Sequence, residues 1–155
     1  MGDTITVTVE QKSSSLWNSR KGPQANTEIT APSATRVELQ NSNCGVEVHE
    51  MQRSSTIKSS NGAIAVKDLS GKFEVDTSNG MVTVERAVGT FQIKTSNGEI
   101  QFDGELVAGG DNHFKSSNGS VDMKLQGTLS MELDTSTSNG SITTESPILT
   151  TSTAD

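Results

Sequence analysis

The nearest approach to a catalytic pair in this sequence is made by two carboxylates, Glu85 and Asp103, which stand 18 residues apart. Each lies six positions after an asparagine, so a fold that stacks equivalent positions at the strand spacing of about 4.8 Å places them side by side. Carboxylates about 5 Å apart are the arrangement of a retaining glycosidase. Lys67 and Lys124 occupy the same position in flanking copies, so we expect a solvated charge ladder with no proton donor for acid catalysis. We therefore assign no catalytic residues and predict that the protein is not an enzyme.

Metal and thiol chemistry have weaker support still. His49 and His113 fall at different positions relative to their asparagines, and no grouping of His, Asp and Glu has the spacing of a metal site. The single cysteine, Cys44, excludes an internal disulfide framework and is interpreted as a substitution tolerated in a turn. We predict neither a metal site nor a cofactor.

The framework for these side chains is a repeated tripeptide, Ser-Asn-Gly, with a first, degenerate copy Ser42-Asn43-Cys44. The repeated asparagines are Asn43, Asn61, Asn79, Asn97, Asn118 and Asn139. A period of 18 to 21 residues is typical of a solenoid, in which each unit buries its inner face against its neighbours. We interpret the asparagines as a structural ladder of stacked amides; the alternative is a polar row that is presented to glycans.

Apolar residues alternate on both sides of each asparagine, which is a strand pattern. The inward positions are three and five after each asparagine, as in Val82 and Val84, and four and six before it, as in Ile93 and Phe91. The pattern predicts an all-β, single-stranded β-solenoid of about six rungs, with two main strands per rung and Phe73 stacked on Phe91. In the last copy we expect the inward pair to shift by two residues, to Leu133 and Met131, because Thr135-Ser136-Thr137 lengthens the turn.

Two kinds of turn close each rung. We expect Asn-Gly to adopt positive φ, which glycine tolerates without a steric penalty, and we make this prediction for Gly98 in particular. A second turn is marked by Gly71, Gly89 and their later equivalents.

All three prolines lie outside the repeats, where they remove no ladder donor. This predicts a solenoid over residues 33–146, an N-terminal capping strand and loop over residues 1–32, and a C-terminal tail over residues 147–155. Trp17 lies in the cap segment; we interpret it as a plug over the core, with a ligand-stacking role as the alternative. No secretory or membrane-spanning run is present.

Acidic and basic residues number 19 and 12, for a formal net charge of −7. This balance argues against nucleic acid and anionic membrane surfaces as partners, because neither a basic stripe nor interleaved aromatic residues are visible.

The pattern Thr/Ser-Ser-Asn-Gly-x-Ile-x-Val, followed by an apolar-x-Gly turn, Phe-x-Val and again Thr-Ser-Asn-Gly, resembles the adhesin-like β-strand-repeat proteins of bacteria, a family of unknown function. The segment 31–39 also resembles the entry to that family's first rung, and the resemblance extends to about residue 146. It implies a right-handed β-helix displayed outside the cytoplasmic membrane, with a signal or anchor segment beyond the present 155 residues. It brings no catalytic residues.

Three function classes follow. The first, which we favour, is a non-enzymatic cell-surface module that acts as an adhesin-like binding unit, spacer or scaffold, with a surface protein or glycan as partner. The second is a polysaccharide-active β-helix enzyme. The third is an ice-binding solenoid, which is disfavoured because the row two after each asparagine includes Met81 and Glu99. The oligomeric state stays open.

Overall fold

The computed structural model describes residues 4–9, 26–29, 35–43, 45–127 and 133–146, and these form strands and turns without a helix. The strands are β1 (Thr4–Val9), β2 (Asn26–Ile29), β3 (Arg36–Asn41), β4 (Gly45–Met51), β5 (Ser55–Asn61), β6 (Ile64–Asn79), β7 (Val82–Asn97), β8 (Ile100–Leu106), β9 (Asn112–Asn118), β10 (Val121–Leu125), β11 (Leu133–Asn139) and β12 (Ile142–Glu145). The predicted all-β solenoid of about six turns is confirmed.

Every strand pair is parallel, and each strand lies over the equivalent strand of the preceding rung. The strands stack in two columns that are joined through β6 and β7. One column contains β1, β3, β5, the second halves of β6 and β7, β9 and β11. The other contains β2, β4, the first halves of β6 and β7, β8, β10 and β12. Because β1 pairs with β3 and β2 pairs with β4, the N-terminal strands add a turn to the stack ahead of Asn43.

Two rungs differ from the expected pair of separate strands. Each of β6 and β7 runs through 16 residues without a break, and the second-turn glycines Gly71 and Gly89 pair within the ladder. The chain turns there while its backbone hydrogen bonds to the neighbouring rung continue, so the second turn does not interrupt the pairing.

The core is a narrow column of inward side chains along the axis. Buried apolar residues alternate with exposed ones, as in Ile64, Val66, Val82 and Val84, each at most 1 % exposed. Phe73 and Phe91 are partners in the ladder and stack with ring centroids 5.7 Å apart. The expected stacking of these rings is therefore present.

Buried polar side chains replace apolar ones at two inward positions, six residues before an asparagine. The Oδ1 of Asn112 accepts a hydrogen bond from the backbone N–H of Phe91 at 2.9 Å, and its Nδ2 donates to the carbonyl of Gly110 at 3.0 Å. At Ser55, the Oγ accepts from the N–H of Val37 at 3.3 Å. Both side chains satisfy backbone groups inside the stack, which offsets the burial of a polar residue.

The expected two-residue shift in the last rung is wrong. Leu133 pairs with Asn112 and Thr135 pairs with Phe114, so β11 keeps the register of the preceding rungs. Thr135 therefore occupies an inward position that is apolar elsewhere, and its hydroxyl donates to the sulfur of Met123 at 3.7 Å. The chain therefore does not need a lengthened turn to keep Thr135 out of the core, because a partly exposed terminal rung tolerates a hydroxyl at this position.

The expected positive φ at Gly98 is also wrong, since Gly98 is absent from the described positive-φ residues. Glycine is required there for a different reason. A Cβ on Gly98 would lie within 3.0 Å of the carbonyl oxygen of Gly80 in the rung below, and a Cβ on Gly80 would meet Gly62 in the same way. The stacked backbones approach too closely for a side chain.

Candidate functional site

A shallow groove of about 510 Å³ lies on the outward face of β7, β8, β10 and β12. We call this surface the polar groove. Its outward side chains are Thr83, Glu85, Arg86, Gln101, Asp103, Asp122, Lys124, Thr143 and Glu145. These belong to the columns four, six and seven after each asparagine, so the parallel register lines them up. The groove offers carboxylates, cations, a side-chain amide and hydroxyls on a backbone fixed by ladder hydrogen bonds.

One wall of the groove is built by a corner that no sequence signal announces. Glu50, Asp68 and Arg86 stand seven after their asparagines and adopt left-handed φ values of 56°, 56° and 52°, which non-glycine residues visit infrequently. The next rung lacks this extra residue, because the register shifts between Glu85 and Ala87 so that Ala87 pairs with Gly104. The corner column therefore ends at Arg86, and the polar groove begins beside it.

The corner column is held by a two-pronged ion pair. The Nε and Nη2 of Arg86 donate to the two carboxylate oxygens of Asp68, each at 2.7 Å. This is the bidentate arrangement in which a guanidinium group binds a carboxylate most strongly. These hydrogen bonds hold the pKa of Asp68 below its ordinary value and raise that of Arg86. Both side chains are largely exposed, so we treat the pair as a device that orients the corner and not as a large source of stability.

The two carboxylates that the sequence singled out, Glu85 and Asp103, both line the polar groove. Glu85 and Asp103 are ladder partners on adjacent rungs. Glu85 pairs with the Nζ of Lys67 at 3.3 Å and with Arg86 at 3.8 Å. Asp103 lies 3.8 Å from the Nζ of Lys124 and accepts a hydrogen bond from the Nε2 of Gln126. Each carboxylate thus has cationic or amide donors as neighbours, and both are more than a third exposed.

The asparagines form a continuous side-chain ladder on a different edge of the solenoid. From Asn61 onward, each Nδ2 donates to the Oδ1 of the asparagine one rung earlier, at 2.8 to 2.9 Å. The ladder joins Asn43, Asn61, Asn79, Asn97, Asn118 and Asn139. All the amides of the ladder point in the same direction, so successive asparagines satisfy one another's hydrogen-bonding groups.

Sequence reasoning missed a second column beside the asparagines. The residue two before each asparagine is buried in the first five rungs and half-buried at Thr137. From the fourth rung onward its hydroxyl caps a turn: Thr95 donates to Gly80, Ser116 to Gly98 and Thr137 to Gly119. The equivalent hydroxyls of Ser59 and Thr77 are buried and have no hydrogen-bond partner among the residues that the structure describes. The signal was present in the sequence, because a Ser or Thr precedes each Ser-Asn-Gly copy.

The remaining nominated residues stay apart. The imidazole of His49 contacts Glu47 at 3.1 Å and that of His113 contacts Asp134 at 2.8 Å. Within the described ranges, no group of three or more His, Cys, Asp or Glu side chains is placed to hold a metal ion. Trp17, Cys44 and Met131 lie outside the described residues.

Charged residues also occupy the middle of the column three before each asparagine. Lys58, Asp76 and Lys94 are consecutive ladder partners, but no ion pair within 4.0 Å joins these described side chains. The next partner of Lys94 is Lys115, whose own partner is Ser136, so the alternation of charge stops at two adjacent lysines.

A family model described as Toastrack DUF4097 matches residues 25–154, which is most of the chain, and the chain therefore belongs to that family of unknown function. No curated protein and no solved structure matches it. Nowhere in the described part of the chain is there a helix long and apolar enough to cross a membrane.

Proposed function

We propose that this Toastrack domain is a non-enzymatic binding and scaffold module of the bacterial cell surface, and that it contacts a glycan or a surface protein through the polar groove. The domain presents fixed polar side chains on a rigid stack, and recognition of a polar partner requires this kind of preorganised surface.

The observation that carries the non-enzymatic part is the pairing of the groove carboxylates. Cleavage of a glycosidic bond needs one carboxyl group to protonate the leaving oxygen while the second acts as nucleophile or base. Glu85 and Asp103 instead face Lys67, Arg86 and Lys124, and both are substantially open to water. Such groups are suited to hold a ligand by charge and hydrogen bonds.

The scaffold part rests on how the groove is supported. The inward columns, the parallel backbone ladder and the asparagine ladder run through the same rungs that present the groove. In a solenoid each rung contacts only its neighbours, so the groove geometry depends on local stacking and needs no moving part. A rod with these properties also serves as a spacer that holds a partner away from a surface.

The cell-surface part of the proposal is supported by the Ser-Asn-Gly pattern, through its resemblance to adhesin-like repeat proteins. Fractionation of cells that express the full-length gene tests it directly: we expect the protein in the surface or extracytoplasmic fraction. Recovery with the cytoplasmic proteins contradicts this placement and leaves the binding proposal to its own test.

Binding is tested with a glycan array of neutral and acidic oligosaccharides, together with extracts of cell-surface protein. Gln101→Arg places a long cation in the middle of the polar groove and should weaken binding. Gln40→Arg makes the same change at another exposed strand residue, on β3, and should leave binding unchanged. Equal loss in both variants would show that the groove is not the contact surface.

A second candidate, polysaccharide cleavage, is favoured by the adjacent rungs of Glu85 and Asp103. The intact protein should release no reducing ends or unsaturated products from charged or neutral polysaccharides. If turnover is found and disappears in the double variant Glu85→Gln, Asp103→Asn, the enzymatic candidate replaces the binding module.

A further inference from the structure

The last Asn-Gly step of the solenoid, Asn139-Gly140, differs from the interior copies in what covers it. An Asn-Gly peptide is chemically labile because the glycine nitrogen can attack the asparagine side-chain carbonyl without hindrance from a Cβ. The reaction requires both groups to be free to move toward each other. Hydrogen bonds to the next rung therefore decide which copies are protected.

Interior copies are held on both sides of the reacting bond. At Asn118, the side-chain Oδ1 accepts from the Nδ2 of Asn139 at 2.8 Å. The N–H of Gly119 donates to the backbone carbonyl of Asn139 at 2.9 Å. Attack of that nitrogen on the Cγ of Asn118 must break both bonds, each of which links the step to the following rung.

No later rung covers Asn139 within residues 133–146. Its Nδ2 donates backward to Asn118, but among the described residues its Oδ1 accepts no hydrogen bond and the N–H of Gly140 donates none. Gly140 is exposed, whereas Gly119 is half-buried. The nucleophile and the electrophile of the last step are therefore less restrained than those of the rung before it.

We propose that Asn139 is the principal site of spontaneous deamidation in the folded protein. The backbone nitrogen of Gly140 gives up its proton to solvent and bonds to the Cγ of Asn139. The bond from Cγ to Nδ2 breaks, and the nitrogen leaves as ammonia. Water then opens the cyclic imide to aspartate or to isoaspartate, which carries an additional methylene in the backbone.

The product alters the end of the solenoid. A carboxylate at position 139 has no N–H to donate. One of its oxygens would therefore face the Oδ1 of Asn118, where the Nδ2 of Asn139 had donated a hydrogen bond. The asparagine ladder then loses its last link, and the terminal rung gains a negative charge.

The chain contains a matched internal control for this reaction. Ser117-Asn118-Gly119-Ser120 and Ser138-Asn139-Gly140-Ser141 have the same four residue types. Local sequence therefore gives the two asparagines nearly the same intrinsic reactivity, and a difference between them in the folded protein reports the cover of the next rung.

The experiment is a time course of the whole protein in mildly alkaline buffer, with peptide mapping that separates asparagine, aspartate and isoaspartate at each site. Two hydrogen bonds to the next rung protect Asn118, so Asn139 should react about tenfold faster or more. In urea, where the stack is lost, the two sites should react at similar rates.

Asn79 provides a graded comparison, because its Oδ1 accepts from Asn97 whereas no such bond to the next rung is made by the N–H of Gly80. Its rate should fall between those of Asn118 and Asn139. The variant Asn139→Gln should lose the main product, and because it removes the Nδ2 that donates to the Oδ1 of Asn118, deamidation at Asn118 should become faster. The proposal is overturned if Asn118 reacts as fast as Asn139 in the folded protein, if neither reacts, or if the preference persists unchanged in urea.

Discussion

Removal of the Phe91 side chain tests whether the aromatic column carries the stability of the stack. Phe91 is 0 % exposed; its ring stacks on Phe73 at 5.7 Å and meets the edge of Phe102 at 5.0 Å. Phe91→Ala should lower the free energy of unfolding by about 3 to 5 kcal/mol, the usual cost of emptying a buried phenylalanine site. Of this, each aromatic contact contributes about 0.5 to 1.5 kcal/mol beyond burial.

The assay is urea unfolding followed by circular dichroism of the strand signal. For a slope of about 2 kcal/mol/M, the midpoint should fall by about 2 M. The neighbouring change Gln92→Ala removes an outward side chain whose one hydrogen bond, to Asp111, is exposed, and it should cost about 0.5 kcal/mol or less. Equal midpoint shifts for Phe91→Ala and Gln92→Ala would refute the assignment of inward and outward faces.

Three other perturbations address the turn column, the amide ladder and the corner. Gly98→Ala should destabilise by more than Ser96→Ala, because the new Cβ meets the carbonyl of the rung below; thermal midpoints that fall equally would contradict the close-approach argument. Asn97→Ala removes two ladder bonds and should cost about 1 to 2 kcal/mol in the same urea assay, so an unchanged midpoint would deny the ladder a stabilising role. Because the pKa of Asp68 is lowered in the folded state, its contribution is present above its unfolded pKa of about 3.9 and is lost as pH falls through the folded value. Arg86→Gln should therefore reduce the thermal midpoint near neutral pH and converge with the parent protein in acid; a constant difference across that range would exclude the pair as its cause.

The repeat itself made most of the fold predictable. Side chains that alternate at fixed distances from a marker asparagine can be assigned inward or outward by counting, and Phe73 over Phe91 followed from that counting. Equivalent positions must stack when rungs are parallel and in register, so the neighbours Glu85 and Asp103 were also accessible from sequence.

Features that depend on contact between backbones were not accessible. Gly80, Gly98, Gly119 and Gly140 are required because each lies too close to the carbonyl of the rung below for a Cβ, and a sequence does not distinguish that need from a need for positive φ. Likewise, Asp68 and Arg86 adopt left-handed φ without the Gly or Asn that usually marks it. The polar groove begins where that corner column ends. The column ends because the pairing of β7 with β8 shifts by one residue, so that Ala87 pairs with Gly104.

The last rung shows why strict counting fails at a boundary. The rule that inward positions are apolar led to a shifted register there, although Thr135 in the unshifted register is compatible with a rung that has one covered side. Ile142, at an inward position, is 44 % exposed, whereas its partner Val121 in the preceding rung is 0 % exposed. A terminal rung gains less from apolar side chains, so hydroxyl groups are tolerated at these positions.

The direction of the asparagine ladder gives the two ends of the solenoid different chemistry. From Asn61 onward, each Nδ2 in the ladder donates to the asparagine of the preceding rung. At the last asparagine, Asn139, the Nδ2 therefore has an acceptor, whereas the Oδ1 has no donor among the described residues. The backbone of the same step follows this polarity, since the N–H of each bonded turn glycine depends on a carbonyl from the next rung. Protection therefore passes from later rungs to earlier ones, and a rung is chemically stable only while its C-terminal neighbour is in place. It follows that a solenoid of this kind should undergo deamidation from its C-terminal edge inward.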